Sequence, residues 1–102
     1  MRTDRELLEL AAKAAGYKVA WEGGGTTGWM AGGTWWNPLT DDGDALRLAV
    51  KLEMDVFIRG GRWTEAVCPM SKPQKVLHDT DPCAATRCAI TLAAAAVGEA
   101  KP

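Results

Sequence analysis

Leucine and alanine recur three and four positions apart in three segments of the chain. This spacing predicts helices over residues 4–15, 41–53 and 82–97, each with an apolar face that can pack against other elements. Glycine follows the first and third segments, at Gly16 and Gly98, and is the residue that most easily takes the left-handed conformation past a helix end. We therefore expect these two glycines to end their helices.

Residues that favour a helix N-terminus stand before each segment. They are Thr3 or Asp4, Thr40 or Asp41, and Asp81 with Pro82 at the first helical position. Asp41, Asp42 and Asp44 crowd the start of the second helix, where carboxylates complement the helix dipole. Their spacing lacks the rest of a calcium-binding loop, so capping explains them and no metal site is predicted.

Alternation of period two predicts strands between the helices. Residues 17–21 place large apolar side chains at every second position, and residues 55–67 form the clearest hairpin, with Gly60 and Gly61 in its turn. Residues 75–77 add a short strand. In the glycine- and tryptophan-rich segment 17–36, Gly32-Gly33 is suited to a two-residue hairpin turn, whose central positions take positive φ.

The order of these elements predicts a single α+β domain over residues 1–102. Both faces of a sheet must be covered, and at least two helices are apolar over a wide arc. We expect one small antiparallel or mixed sheet of about four to six strands with about three helices on it.

Composition and charge narrow the function classes. Twelve Lys and Arg against thirteen Asp and Glu give a net charge of -1, which argues against a nucleic-acid binder with a global basic field. The charged start and the lack of a long apolar run predict a cytoplasmic protein with no membrane partner. Cys68, Cys83, Cys88 and His78 lack the short ligand steps of zinc sites, so no metal or other cofactor is expected.

Three features together resemble the phage ABA sandwich domain family over about residues 17–97. They are the Trp36-Asn37-Pro38 sequence before an acid-capped helix, the strands at 55–67, and Asp81-Pro82 before an alanine-rich helix. The resemblance implies a bacteriophage or prophage origin and a three-layer α-β-α sandwich. It assigns no catalytic residues.

Tryptophan is the most unusual feature of the composition. Five Trp stand against one Phe and one Tyr, and Trp29, Trp35 and Trp36 cluster in the glycine-rich segment. Consecutive strand residues point to opposite faces, so Trp35 and Trp36 cannot both enter the same core if the segment is extended. Either the indoles fill the core in place of Phe and Tyr, or at least one is displayed for recognition.

The displayed-indole interpretation and the resemblance together lead to the main functional hypothesis. The phage origin that the resemblance implies suggests, by analogy with small phage proteins, an accessory protein with an anti-defence role in the infected bacterium. The displayed indoles add the expectation of non-catalytic capture of a nucleotide-like immune signal, with the protein acting as a homo-oligomer. The expected ligand-binding residues are Trp29, Trp35, Trp36, Asn37, Arg59 and Arg62. The indoles would stack on a base, while the arginines and the glycine amides near residues 23–28 would bind phosphate.

Two alternatives come from other classes. One is an inhibitor of a host protein that docks by the same surface, with the hairpin 55–67 supplying an edge strand or a flat face. The other is an enzyme, for which His78 beside Asp79 is the main candidate base. The sequence contains no recognisable set of nucleophile, base and orienting group, so no catalytic residue is assigned.

Overall fold

The computed structural model describes residues 2–69 and 71–101. Met1, Met70 and Pro102, which the predicted single domain includes, lie outside the described residues. The elements in chain order are α1 (Asp4–Ala15), β1 (Val19–Trp21), β2 (Gly28–Met30), α2 (Asp42–Lys51), β3 (Asp55–Arg59), β4 (Trp63–Val67), β5 (Gln74–Leu77) and α3 (Pro82–Ala100). The α+β class with three helices is confirmed.

The helix N-termini follow from their capping residues. The Thr3 hydroxyl accepts from the Glu6 amide while the Glu6 carboxylate accepts from the Thr3 amide, a complete capping box. Asp41 accepts from the amide of Asp44 to begin α2. Asp81 accepts from the two amides that follow Pro82 to begin α3.

Of the two helix C-termini predicted at glycines, one is confirmed and the other prediction is wrong. Gly16 ends α1 with φ 76°, as predicted. Gly98 does not end α3, which continues to Ala100. A Cβ atom at Gly98 would overlap the carbonyl oxygen of Leu10 and lie 2.8 Å from its carbonyl carbon. Gly98 is therefore the point where α3 touches the backbone of α1.

The five strands form two antiparallel sheets, so the predicted single sheet of four to six strands is wrong. β1 pairs with β2, and β3, β4 and β5 pair in that order. The turn after β2 is the reason: Gly32 and Gly33 take φ 100° and 82°, and the chain folds back so that Trp35 bridges Trp29. The returning segment occupies the edge of β2 that a larger sheet would need.

The turn that folds this segment back has three residues instead of the predicted two. The amide of Met30 donates to the carbonyl of Thr34, and the amide of Gly33 donates to the carbonyl of Met30. Ala31 therefore joins Gly32 and Gly33 in the loop. The fold-back places residues 34–36 beside β2.

α3 is the central element of the core. It packs against α1, against α2, and against the face of the three-stranded sheet that carries Thr64 and Ala66. It has the length and composition of a membrane-crossing helix, yet nine of its residues are buried, as in a core helix. Its many alanines let α1 approach closely.

The opposite face of the three-stranded sheet is open, so the predicted three-layer sandwich is not confirmed. Phe57 and Leu77 point to that face and keep 41% and 71% of their surface exposed. Lys75 lies over the ring of Trp63 on the same face, with its ammonium nitrogen 4.3 Å from the ring centroid. The layers are sheet, α3 and α1, instead of helix, sheet and helix.

Candidate functional site

A cleft lies between the returning segment after β2 and the N-terminus of α2. Its volume is about 620 Å³, within the range of small-molecule sites. Its walls are Trp35, Trp36 and Asn37 on one side and Asp41, Asp44 and Arg47 on the other, with four threonines and two glycines around them. We call this site the aromatic cleft.

Trp35 is the displayed aromatic group of the cleft. It keeps 60% of its surface exposed and lies against Trp29, with 4.2 Å between ring centroids and 53° between ring planes. The Trp29 indole N–H donates to a Glu22 carboxylate oxygen at 2.7 Å, which holds the supporting ring in place. An exposed indole backed by a second indole is a rigid, flat surface on which a ligand can stack.

Trp36 points the other way and belongs to the core. Only 3% of its surface is exposed, and Tyr17 packs edge-on against it at a centroid distance of 5.8 Å. Its amide donates to the carbonyl of Gly28, which fixes the returning segment against β2. Opposite orientations of Trp35 and Trp36 are what strand alternation predicts. Trp36 therefore forms the floor of the cleft and Trp35 its rim.

The polar wall is built around a buried carboxylate. Asp44 is 8% exposed and accepts from the Asn37 amide at 2.9 Å and from an Arg47 guanidinium nitrogen at 2.8 Å. The same guanidinium nitrogen lies 3.8 Å from an oxygen of Asp41. The hydrogen bond that Arg47 donates to Asp44 raises the pKa of Arg47 above its ordinary value, so the guanidinium stays charged.

The charge of this wall decides which ligands suit the cleft. Asp41 and Asp44 carry two negative charges against the one positive charge of Arg47. Arg47 is also already paired with Asp44. The wall is therefore acidic overall, which suits hydroxyl and amino donors better than phosphate.

Asn37 lies in the cleft, but its side chain also shapes the local backbone. Its amide oxygen accepts from the Leu39 amide at 2.9 Å, and its carbonyl accepts from the amides of Thr40 and Asp41. These bonds form the tight turn at Pro38 that carries the chain into α2. The turn is what brings the start of α2 beside Trp35.

Arg59 and Arg62 do not join the other expected site residues. Both lie at the β3–β4 turn, where the Arg62 amide donates to the Arg59 carbonyl, and neither lines the cleft. Their distance follows from the separation of the two sheets, which the sequence did not predict. Arg47 is the arginine that lines the cleft together with Trp35 and Trp36.

The glycine-rich loop has a structural role that the phosphate hypothesis did not include. Arg5 donates to the carbonyls of Gly23 and Gly25, and its guanidinium carbon lies 4.7 Å from the Trp21 ring centroid. The loop is thereby tied to α1. Gly28 lines the cleft. It also packs closely against β1, since a Cβ there would come within 2.6 Å of the Val19 side chain.

Sequence reasoning missed the roles of Asp44 and Arg47 in the cleft. Capping accounts for the aspartates in the sequence, and helical periodicity alone does not distinguish Arg47 from other polar residues of the second helix. The available signal was the three-residue spacing between Asp44 and Arg47, which lets the two side chains pair on one helix face. Nothing local shows that this pair faces Trp35.

His78 belongs to a partly buried hydrogen-bonded chain away from the cleft. Its Nε2 lies 2.6 Å from the hydroxyl of Thr64, which lies 2.8 Å from the hydroxyl of Thr86. Thr64 is fully buried, and Thr86 donates to the carbonyl of Pro82. This chain ties the sheet to the start of α3. Thr64 itself is closed to substrate, because it is fully buried.

Neither a cluster of metal-binding side chains nor similarity to known proteins identifies a second site in the described residues. Within residues 2–69 and 71–101, no group of three or more His, Cys, Asp or Glu side chains is arranged to hold a metal ion. No family model, no curated protein and no solved structure matches this chain. The resemblance to the phage ABA sandwich domain family stays a prediction.

Proposed function

We propose that this chain is a non-catalytic binding protein whose aromatic cleft captures a small molecule containing a nucleoside. The observation that carries the proposal is Trp35, 60% exposed and backed by Trp29 at the rim of a cleft of about 620 Å³. A large exposed aromatic side chain is suited to stacking, and one base stacked on an aromatic ring contributes about 1–3 kcal/mol.

The acidic wall indicates which groups of a nucleoside the cleft would bind. A ribose carries vicinal hydroxyl donors and a base carries amino donors, both of which carboxylates can accept. Asp41 is exposed; one of its oxygens, Oδ2, accepts from the Asp44 amide and lies 3.8 Å from Arg47. We assign the other oxygen of Asp41 to the ribose. Since Arg59 and Arg62 lie elsewhere, phosphate groups of a nucleotide would extend out of the cleft and add little affinity.

Phage origin, an anti-defence role and action in the cytoplasm of an infected bacterium form the biological part of this proposal. Their support is the resemblance carried by the Trp36-Asn37-Pro38 segment and by Asp81-Pro82. A protein that sequesters a host-derived nucleotide signal needs a binding site and no catalytic group. The aromatic cleft supplies such a binding site.

Calorimetric titration with adenosine, guanosine, ADP-ribose and a cyclic dinucleotide tests the proposal. We expect at least one nucleoside to bind, and its phosphorylated form to bind no more tightly. Trp35→Ala should weaken that binding by about 1–3 kcal/mol. Absence of binding by all four compounds would contradict the proposal and favour the protein-inhibitor alternative, which a pull-down from bacterial lysate then tests.

Three variants provide the controls. Arg62→Gln should leave affinity unchanged, whereas a loss there would restore the site expected from the sequence. Trp35→Ala should change the free energy of unfolding by only about 1 kcal/mol, because the ring is largely exposed. Trp36→Ala should cost about 3–5 kcal/mol, because that ring is core. Loss of binding in a folded Trp35→Ala protein therefore identifies a site.

A further inference from the structure

Besides the aromatic cleft, the unpaired edge of β3 is a surface suited to binding another strand. Strand order β3-β4-β5 leaves β3 paired on one side only within the described chain. Edge strands expose unpaired amide and carbonyl groups and are usually protected by charge, by proline or by a covering segment. β3 has no proline and is charged only at its two ends, Asp55 and Arg59, while Ile58 keeps 60% of its surface exposed.

The opposite edge of the same sheet is protected. β5 begins directly after Pro73 and contains the exposed Lys75. Both features discourage strand addition. The contrast between the two edges singles out β3 as the edge open to pairing.

Apolar surface continues from β3 onto α2. A groove of about 350 Å³, almost wholly apolar, runs between them and is lined by Leu46, Val56, Ile58 and Ile90 among others. Leu46 keeps 64% of its surface exposed, and Val50, one turn further along α2, keeps 70%. A partner at the β3 edge would therefore also cover apolar side chains on α2.

The sequence of β3 is complementary to itself. Its five residues run from Asp55 to Arg59 with Phe57 in the middle. In an antiparallel pair of two β3 strands centred on Phe57, Asp55 of one chain lies opposite Arg59 of the other, twice. Neither side chain has a salt-bridge partner among residues 2–69 and 71–101.

We propose that two copies of this chain pair through β3, antiparallel and centred on Phe57, into a two-fold dimer with a continuous six-stranded sheet. Each copy supplies the same patch, as a two-fold interface requires. Val56 of one chain lies opposite Ile58 of the other on the face that carries the groove. Opposite charges face each other at both ends of the pair, which stabilises this register.

The dimer is independent of the ligand proposal. The residues of the aromatic cleft include none from β3, and the residues of the groove include none of its tryptophans. Failure of one proposal therefore leaves the other standing. A dimer would carry two separate clefts.

A charge exchange tests the register directly. Asp55→Arg alone places two arginines opposite two arginines, and Arg59→Asp alone places two aspartates opposite two aspartates. By sedimentation velocity, each single variant should raise the dimer dissociation constant at least about tenfold, because two symmetry-related pairs change sign. An equimolar mixture of the two variants restores both opposite-charge pairs and should dimerise as the unmodified chain does.

The double variant Asp55→Arg with Arg59→Asp should also dimerise, since it exchanges the charges within each chain. Lys75→Glu, a charge reversal on the opposite edge, is the matched control and should leave the dimer unchanged. Far-UV circular dichroism confirms that each variant is folded.

Three results would overturn the proposal. The first is an unmodified chain that stays monomeric at all concentrations up to about millimolar, the range of weak association. The second is dissociation by Lys75→Glu together with no effect of the β3 variants, which would place the interface on β5. The third is a mixture of the two single variants that remains monomeric. A host protein bound through Ile58 of a monomeric chain would assign this edge to the inhibitor function instead.

Discussion

Replacement of Gly98 by alanine tests how α1 and α3 are held together. The new Cβ would lie 2.8 Å from the carbonyl carbon of Leu10 and overlap its oxygen, in a helix where Gly98 is fully enclosed. Real Cβ atoms essentially never approach other atoms within 3.0 Å, and ordinary contact begins at 3.4 Å. The neighbour here is backbone, so relief requires the two helices to separate by at least about one ångström where they touch.

The expected cost is about 1–3 kcal/mol or more, the range for overpacking a close-packed interface. Helix propensity acts in the opposite direction, since alanine is favoured over glycine by about 1 kcal/mol inside a helix. If Gly98 merely ended the helix, the substitution would be neutral or stabilising. The two interpretations therefore differ in sign.

Urea unfolding followed by circular dichroism measures this sign. An overpacking cost of about 3 kcal/mol less the propensity gain of about 1 kcal/mol leaves a net loss of about 2 kcal/mol. For a domain of this size the melting temperature then falls by roughly 8–16 °C. Gly60→Ala is the matched control, because a Cβ there meets nothing within 4 Å and φ is not left-handed. It should change the unfolding free energy by less than about 1 kcal/mol. Equal effects of the two substitutions, or stabilisation by Gly98→Ala, would refute the close approach of α1 and α3.

Three further predictions concern local contacts. Thr3→Ala removes the capping box and should cost about 0.5–2 kcal/mol in denaturant unfolding at pH 7. Hydrogen bonds from Thr3 lower the pKa of Glu6 below its ordinary 4.5. The loss of unfolding free energy in Thr3→Ala should therefore shrink as the pH falls through that lowered pKa. An equal loss at pH 7 and pH 3 would contradict this expectation. Burial raises the pKa of the Cys88 thiol. Alkylation at pH 8, followed by mass spectrometry, should therefore modify the exposed Cys83 before Cys88. Faster modification of Cys88 would be inconsistent with its burial. Gly28→Ala should cost about 1–3 kcal/mol by chemical denaturation, since its Cβ would strike the side chains of β1, and an unchanged midpoint would show that β1 yields.

The elements that the sequence predicted well are those set by local chemistry. Thr3, Asp41 and Asp81 begin helices because a short polar side chain can accept from amides two or three residues ahead. The hairpin at 55–67 follows from alternation on both sides of Gly60-Gly61. These features need only a few neighbouring residues, so a single sequence suffices to find them.

The features that it did not predict depend on contacts between distant parts of the chain. Gly98 has the usual signature of a helix end, and only its contact with Leu10 shows otherwise. Two sheets form instead of one because the turn at Gly32-Gly33 returns the chain along β2.

The candidate site was predicted in part for the same reason. Alternation correctly separated Trp35 from Trp36, since that rule is local. The sequence named Arg59 and Arg62 as partners of the indoles, whereas the cleft is lined by Arg47. Arg47 comes near Trp35 through the tight turn at Pro38 and the packing of α2. A charged residue on a helix face carries no local sign of what it faces.

The central claim is that an exposed indole and an acidic wall form one binding site. Two-dimensional ¹H–¹⁵N NMR during titration with the nucleoside that binds best tests it most directly, because each tryptophan indole N–H gives its own signal. We expect the signals of the Trp35 indole N–H and of the Asn37 and Asp41 amides to shift together and to saturate. The amide signals of Arg59 and Arg62 should not shift. Shifts confined to the β3–β4 turn, or no saturable shift at the Trp35 indole, would contradict it.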